Sequence, residues 1–185
     1  MKKIVFVVLL LVSNVFTSVQ AQQVAEPEFV GEVFLVTPND GITPLPKHLI
    51  QNKVNVPATL LLGVGRAKNN IVIEGCCSDV VVPDEKKIEL VVKNVDNLSD
   101  PLAVVKIFKF KKNKKNRTAE VSSANLWGSV KKNTLDYVPF TAKKFGESSY
   151  LVTITNLKEG EYGISVVNPN ALDQKEVVVS TFTVK

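Results

Sequence analysis

Hydrophobic and polar residues alternate in short runs along this chain, and turn-forming residues close most of the runs. Such alternation marks half-buried strands, and the three- and four-residue spacing of helices is almost absent. The pattern predicts a first strand over residues 29–36, closed by Pro38-Asn39-Asp40-Gly41. Pro44 and Pro46 make the next stretch irregular, with room for one helical turn around His48-Leu49-Ile50 before Pro57. Residues 59–64 and 70–74 read as a hairpin over Lys68-Asn69-Asn70, and residues 79–82 as a short strand stopped by Pro83-Asp84.

Beyond this point the pattern is more regular. Strands are predicted over 87–93, 102–111, 117–122, 137–143, 149–155, 161–167 and 176–184. A polar loop covers 94–101, Lys112-Asn113-Lys114-Lys115 makes a turn, and a longer connection over 123–134 holds Trp127-Gly128. Seven strands in about 100 residues, with turn signals every 8–12, suit an immunoglobulin-like β-sandwich. The expected fold is all-β, with that sandwich over residues 85–185 and an additional β-rich segment over 22–84 that packs on it or extends one sheet.

The most specific stretch is Asn156-Leu157-Lys158-Glu159-Gly160-Glu161-Tyr162-Gly163-Ile164. It resembles the tyrosine corner of immunoglobulin-like and fibronectin-type-III-like sandwiches. In that family a leucine closes the core, a glycine turns the chain, and a tyrosine hydroxyl bonds to backbone a few residues upstream. The matching residues are Leu157, Gly160 and Tyr162. The resemblance covers the last 100 residues or so. It lacks the inter-sheet cysteine pair and strand tryptophan of antibody-type domains, so it implies architecture rather than function. The segments Glu28-Phe29-Val30-Gly31-Glu32, Lys144-Phe145-Gly146-Glu147-Ser148-Ser149-Tyr150 and Gly160-Glu161-Tyr162-Gly163-Ile164 make the whole chain similar to secreted Gram-negative bacterial proteins of unknown function. That resemblance carries over no catalytic residue.

The first residues change the picture of location. Lys2 and Lys3 precede an apolar run from Ile4 to Val12, and Val19-Gln20-Ala21 offers small residues for cleavage. This is the pattern of a secretory signal peptide over residues 1–21, and the protein is expected to be exported, periplasmic or extracellular. No cysteine stands at the cut, and the run is shorter than the ~20 apolar residues of a membrane span. Removing 21 of 185 residues leaves 164, enough to bury a core without staples. Loss of Lys2 and Lys3 lowers the formal charge from +5 to +3, which does not argue for nucleic acid.

Candidate chemistry is sparse. Cys76 and Cys77 are adjacent and are the chain's two cysteines. They admit a vicinal disulfide, two unpaired thiols on opposite strand faces, or a cross-link to another chain. Such a pair is poor in the ligands of a closed metal site. His48 is the single histidine, and pairing it with a cysteine or serine nucleophile would need a third orienting group that no signature supplies. Lys106, Lys109, Lys111, Lys112, Lys114, Lys115 and Arg117 form either an anion-binding patch or a solvated hairpin that guards an apolar strand. Asn94, Asp96, Asn97 and Asp100 could offer oxygens to calcium or simply shape a turn. Trp127 and Tyr137 could face a ligand as an aromatic sugar platform, or Trp127 could fold onto the sandwich. No catalytic, cofactor-binding or metal residue is assigned. The expectation is a non-enzymatic binding or accessory module of the cell envelope, partnered by an envelope or extracellular protein or glycan. The alternative is a carbohydrate-binding module.

Overall fold

The computed structural model describes residues 24–37, 41–51, 53–132, 134–167 and 176–185. The signal peptide expected over residues 1–21 and the turn at 38–40 lie outside them. The chain forms strands β1 (Val33–Thr37), β2 (Gly41–Pro44), β3 (Lys47–Gln51), β4 (Lys53–Asn55), β5 (Ala67–Glu74), β6 (Val81–Val82) and β7 (Lys87–Lys93). A one-turn helix α1 (Pro101–Val104) follows, then β8 (Val105–Lys112), β9 (Asn116–Ala124), β10 (Val130–Lys132) and β11 (Asp136–Tyr137). The chain closes with β12 (Thr141–Phe145), β13 (Ser149–Thr155), β14 (Gly160–Val166) and β15 (Glu176–Val184). The fold is all-β.

The first sheet is antiparallel, in the order β12-β13-β7-β1-β2. The second follows β3-β15-β14-β8-β9-β5-β4, with β6, β10 and β11 added at its sides. Strand β8 divides this second sheet. Residues Val105 to Phe110 pair with β14, while only Lys111 and Lys112 pair with β9. One half therefore packs on the first sheet, and the other half turns back across a second apolar cluster.

The alternation along β8 explains both cores, because successive side chains point to opposite faces. Val105 and Ile107 enter the first cluster with Ile88, Leu90 and Val92 of β7 and Tyr150, Val152 and Ile154 of β13. Phe108 and Phe110 enter the second with Ile50, Ile71, Ile73, Ala119 and Val179. Their rings meet edge-on, 5.1 Å between centroids. Gly163 of β14 lies beneath them. A Cβ there would stand 2.6 Å from Phe110 Cε2 and 3.0 Å from both Phe108 and Val179, so the close approach of the rings requires glycine.

Several sequence expectations change. Residues around His48 form strand β3 rather than a helical turn, because they pair with Glu176 to Ser180 of β15. Residues 58–62 form a 3-10 turn, and β5 finds its hairpin partner in β4 and its long partner in β9. The strand expected from residue 102 starts at Val105. Asp100 caps the preceding turn by accepting the Leu102 N–H at 2.9 Å, with Pro101 at its first position. The expected 137–143 strand breaks into β11 and β12 around Pro139, since the chain there leaves one sheet for the other. Phe29 and Val30 precede β1 and are exposed. The 123–134 connection is a hairpin, β9 to β10, with Trp127 in its turn.

At the end of β13 Leu157 is buried, and Tyr162 donates its hydroxyl to the Lys158 carbonyl four residues upstream. Glu26 ties the start of the described chain to the β12–β13 turn. Its carboxylate accepts the N–H groups of Glu147 and Ser148 and pairs with Lys93 at 3.3 Å. These contacts hold its pKa down to about 2; the facing Ser149 hydroxyl is the largest influence although its oxygen does not reach hydrogen-bond geometry. Gly146, at φ +55°, leaves room for that carboxylate.

Candidate functional site

Three regions hold the residues singled out from the sequence. The first is interior and polar. Cys76 and Cys77 are joined to each other as a disulfide, leaving no free thiol among the described residues. Ser78 follows them and turns inward. Its N–H donates to Glu161 Oε2 at 3.0 Å, and its hydroxyl donates to the Thr181 carbonyl at 2.9 Å. Thr183 donates to the same carboxylate at 2.9 Å. Arg117 stands across from it, with Nη1 3.6 Å from Glu161 Oε2, and both side chains are 2 % exposed or less. Arg117 Nε and Nη1 have no hydrogen-bond partner among the described residues. Burial lowers the guanidinium pKa, and the Glu161 charge opposes that shift.

His48 borders this interior on β3, with Nε2 3.2 Å from Thr181 Oγ1, which in turn reaches Ser78 Oγ at 3.1 Å. Burial, and then the Arg117 charge, push the imidazole pKa below its ordinary value, against the pull of Asp79. A shallow groove of about 440 Å³ opens beside His48 over Ile50, Val72, Ile73 and Glu74. The hydrogen bonds among Ser78, Glu161, Thr181 and Thr183 tie the loop after the disulfide to β14 and β15, with the Arg117 guanidinium of β9 facing the carboxylate. Arg117, read from sequence as the end of a cationic run, is thus interior. Lys109 lies over the Tyr162 ring at 5.6 Å, and Lys111, Lys112, Lys114 and Lys115 remain exposed on the β8–β9 hairpin.

The second region is an apolar groove of about 560 Å³ at the side of the sandwich, where residues 138–140 cross between sheets. Leu102, Tyr137, Pro139 and Phe140 line it. The polar loop before α1 is held by its own hydrogen bonds: Asp96 accepts the Leu98 N–H, Asn94 Nδ2 donates to the Asp96 carbonyl, and Asn97 Nδ2 donates across to the Gly146 carbonyl. No group of three or more acidic, histidine or cysteine ligands gathers among the described residues.

The third region is the end of the β9-β5-β4 half of the second sheet. Ala67, Ala124 and Val130 stand side by side on β5, β9 and β10, and the turns leaving that row project together. Asn125 shapes one turn by accepting the Ser129 N–H at 2.8 Å, and Arg66 of the other turn donates to Ser129 Oγ at 3.1 Å. Gly63 comes so near the indole that a Cβ there would lie 3.8 Å from Trp127 Cζ2. The surrounding apolar side chains are open to solvent: Trp127 82 %, Leu62 80 %, Val64 64 %, Val130 56 % and Leu126 55 %. Trp127 and Tyr137 are therefore not partners in one platform. The first caps this tip, and the second lines the side groove.

The chain matches no known family model and no curated protein. Among the described residues no helix is long and apolar enough to cross a membrane. Sequence reasoning missed Leu62, Val64 and Leu126 as companions of Trp127. Their signal was present, since Leu60-Leu61-Leu62-Gly63-Val64-Gly65 is an unalternating apolar run broken by two glycines.

Proposed function

We propose that this protein is an exported, non-enzymatic binding or accessory module of the bacterial cell envelope. In this reading residues 85–185 make an immunoglobulin-like sandwich and residues 22–84 extend it. The Tyr162 to Lys158 hydrogen bond supports the tyrosine-corner assignment. The observation that carries the binding role is the cluster of large apolar side chains left in solvent around Trp127. Soluble proteins tolerate scattered exposed hydrophobes, while a gathered patch marks an interaction surface.

The experiment is cross-linking in native cells, followed by recovery of the protein and mass spectrometry, with wild type beside Trp127→Ser. A reproducible envelope or extracellular component, lost in the variant, supports the reading. Recovery of the same component by both proteins removes the tip from it. A second reading, a carbohydrate-binding module, is favoured by the free indole face, since Trp offers a flat apolar surface with one polar edge. It rests on Trp127 alone, because Tyr137 is in another region, and glycan-array binding by wild type but not by Trp127→Ser is its test.

A further inference from the structure

We propose that the Trp127 tip docks on an anionic phospholipid surface. This rests on the binding-module reading and names the partner of the same site. The tip is built from two turns that bring Gly63 against the indole and leave Leu62, Val64, Leu126 and Trp127 exposed. A projection of aliphatic side chains with one tryptophan fits the headgroup and acyl boundary, where an amphipathic ring has its apolar body buried and its N–H wet.

The charges behind the tip have the matching sign. Lys68 of β5 and Lys131 of β10 both stand opposite Ser123 of β9, so the two lysines share one face of that half of the second sheet. They lie one row behind the Ala67–Ala124–Val130 row from which the turns leave. Arg66 sits between the turns through its bond to Ser129. On that face Lys68 and Glu120 pair at 2.6 Å and cancel, with Lys68 holding the Glu120 pKa below the usual range, so the net positive charge behind the tip is that of Lys131 and Arg66; Glu74 shares the face at the opposite end of β5. Apolar insertion plus the positive charge of Lys131 and Arg66 supplies the two signals that stable surface attachment needs.

Trp127 is the chain's single tryptophan, so its fluorescence reads the tip directly. The purified protein is mixed with vesicles of phosphatidylcholine alone or with phosphatidylglycerol added, and with brominated acyl chains as quenchers. The expected result is co-sedimentation with the anionic vesicles, a shift of emission to shorter wavelength, and quenching by the brominated chains. Leu62→Ser, which keeps the fluorophore, weakens partition roughly tenfold. Lys131→Glu weakens it roughly tenfold on anionic vesicles and leaves neutral vesicles unaffected. A melting curve like wild type shows that each variant is folded.

Absence of co-sedimentation and of any emission shift overturns the proposal. Co-sedimentation without quenching also overturns it, by moving the contact elsewhere, with the Lys111 to Lys115 hairpin the next surface to test. If vesicles fail while Trp127→Ser still loses its component in cells, the lipid proposal falls and the binding module stands with a protein or glycan partner. If both fail, both readings fall.

Discussion

Strand β9 begins beside a hidden ion pair and ends beside an exposed indole. At its start Arg117 is 2 % exposed in an interior that also holds Glu161. Past its far end, some 30 Å away for nine residues of strand, Trp127 is 82 % exposed. One end of the strand buries charge and the other leaves apolar surface in water, each against the ordinary preference. The two departures differ in what surrounds them. Glu161 is met by Ser78, Thr183 and Arg117, so its burial is compensated from within the fold. Nothing among the described residues covers Leu62 or Trp127. A cost compensated internally belongs to the architecture, and a surface left uncompensated calls for a partner.

The largest expected effect lies at the buried end. Glu161→Gln leaves the Arg117 charge without its counterion and is expected to cost about 3–5 kcal/mol in chemical denaturation. The double variant Arg117→Met/Glu161→Leu is expected to regain most of that loss. A Glu161→Gln protein as stable as wild type would erase the distinction between the two ends. Gly163→Ala comes next, at about 1–3 kcal/mol, because Phe108, Phe110 and Val179 must all shift to admit a methyl group.

Glu26 gives a pH signature. Its pKa falls from an ordinary 4.5 to about 2 on folding. A carboxyl depressed by folding stabilises the protein fully above its unfolded value and loses that contribution as pH falls through its folded value. Denaturation midpoints of wild type and Glu26→Gln should therefore converge between pH 4.5 and about 2. A constant gap across that window contradicts the assignment. Tyr162→Phe removes one hydrogen bond to Lys158 and is expected to cost about 1 kcal/mol, read from the same denaturation curves.

The strands that follow regular alternation were legible. Lys87–Lys93 and Ser149–Thr155 have the predicted bounds because each has one face on the first core. The strand at 47–51 was not, since its pairing with β15 comes from distant sequence and leaves no local mark, and β4 at 53–55 is three residues long, too short to show alternation. The same limit hid the interior of the candidate region. Glu161 and Arg117 sit at alternate positions that a two-layer sandwich would leave in solvent, and only the folded-back half of the second sheet buries them. Trp127 was visible as a loop aromatic. Its grouping with Leu62 and Val64 depends on two turns separated by some sixty residues in the chain, which alternation cannot register.

The smallest stability effect is expected at the tip, and it decides the account. Trp127→Ser should change stability by less than about 0.5 kcal/mol, since an exposed side chain has little contact to lose. The most direct measurement is the binding of wild type and Trp127→Ser to isolated cell envelopes, with a melting curve on the same samples. Binding is expected to be lost while the melting temperature stays within about 2 °C. Full envelope binding by a well-folded Trp127→Ser protein would contradict it.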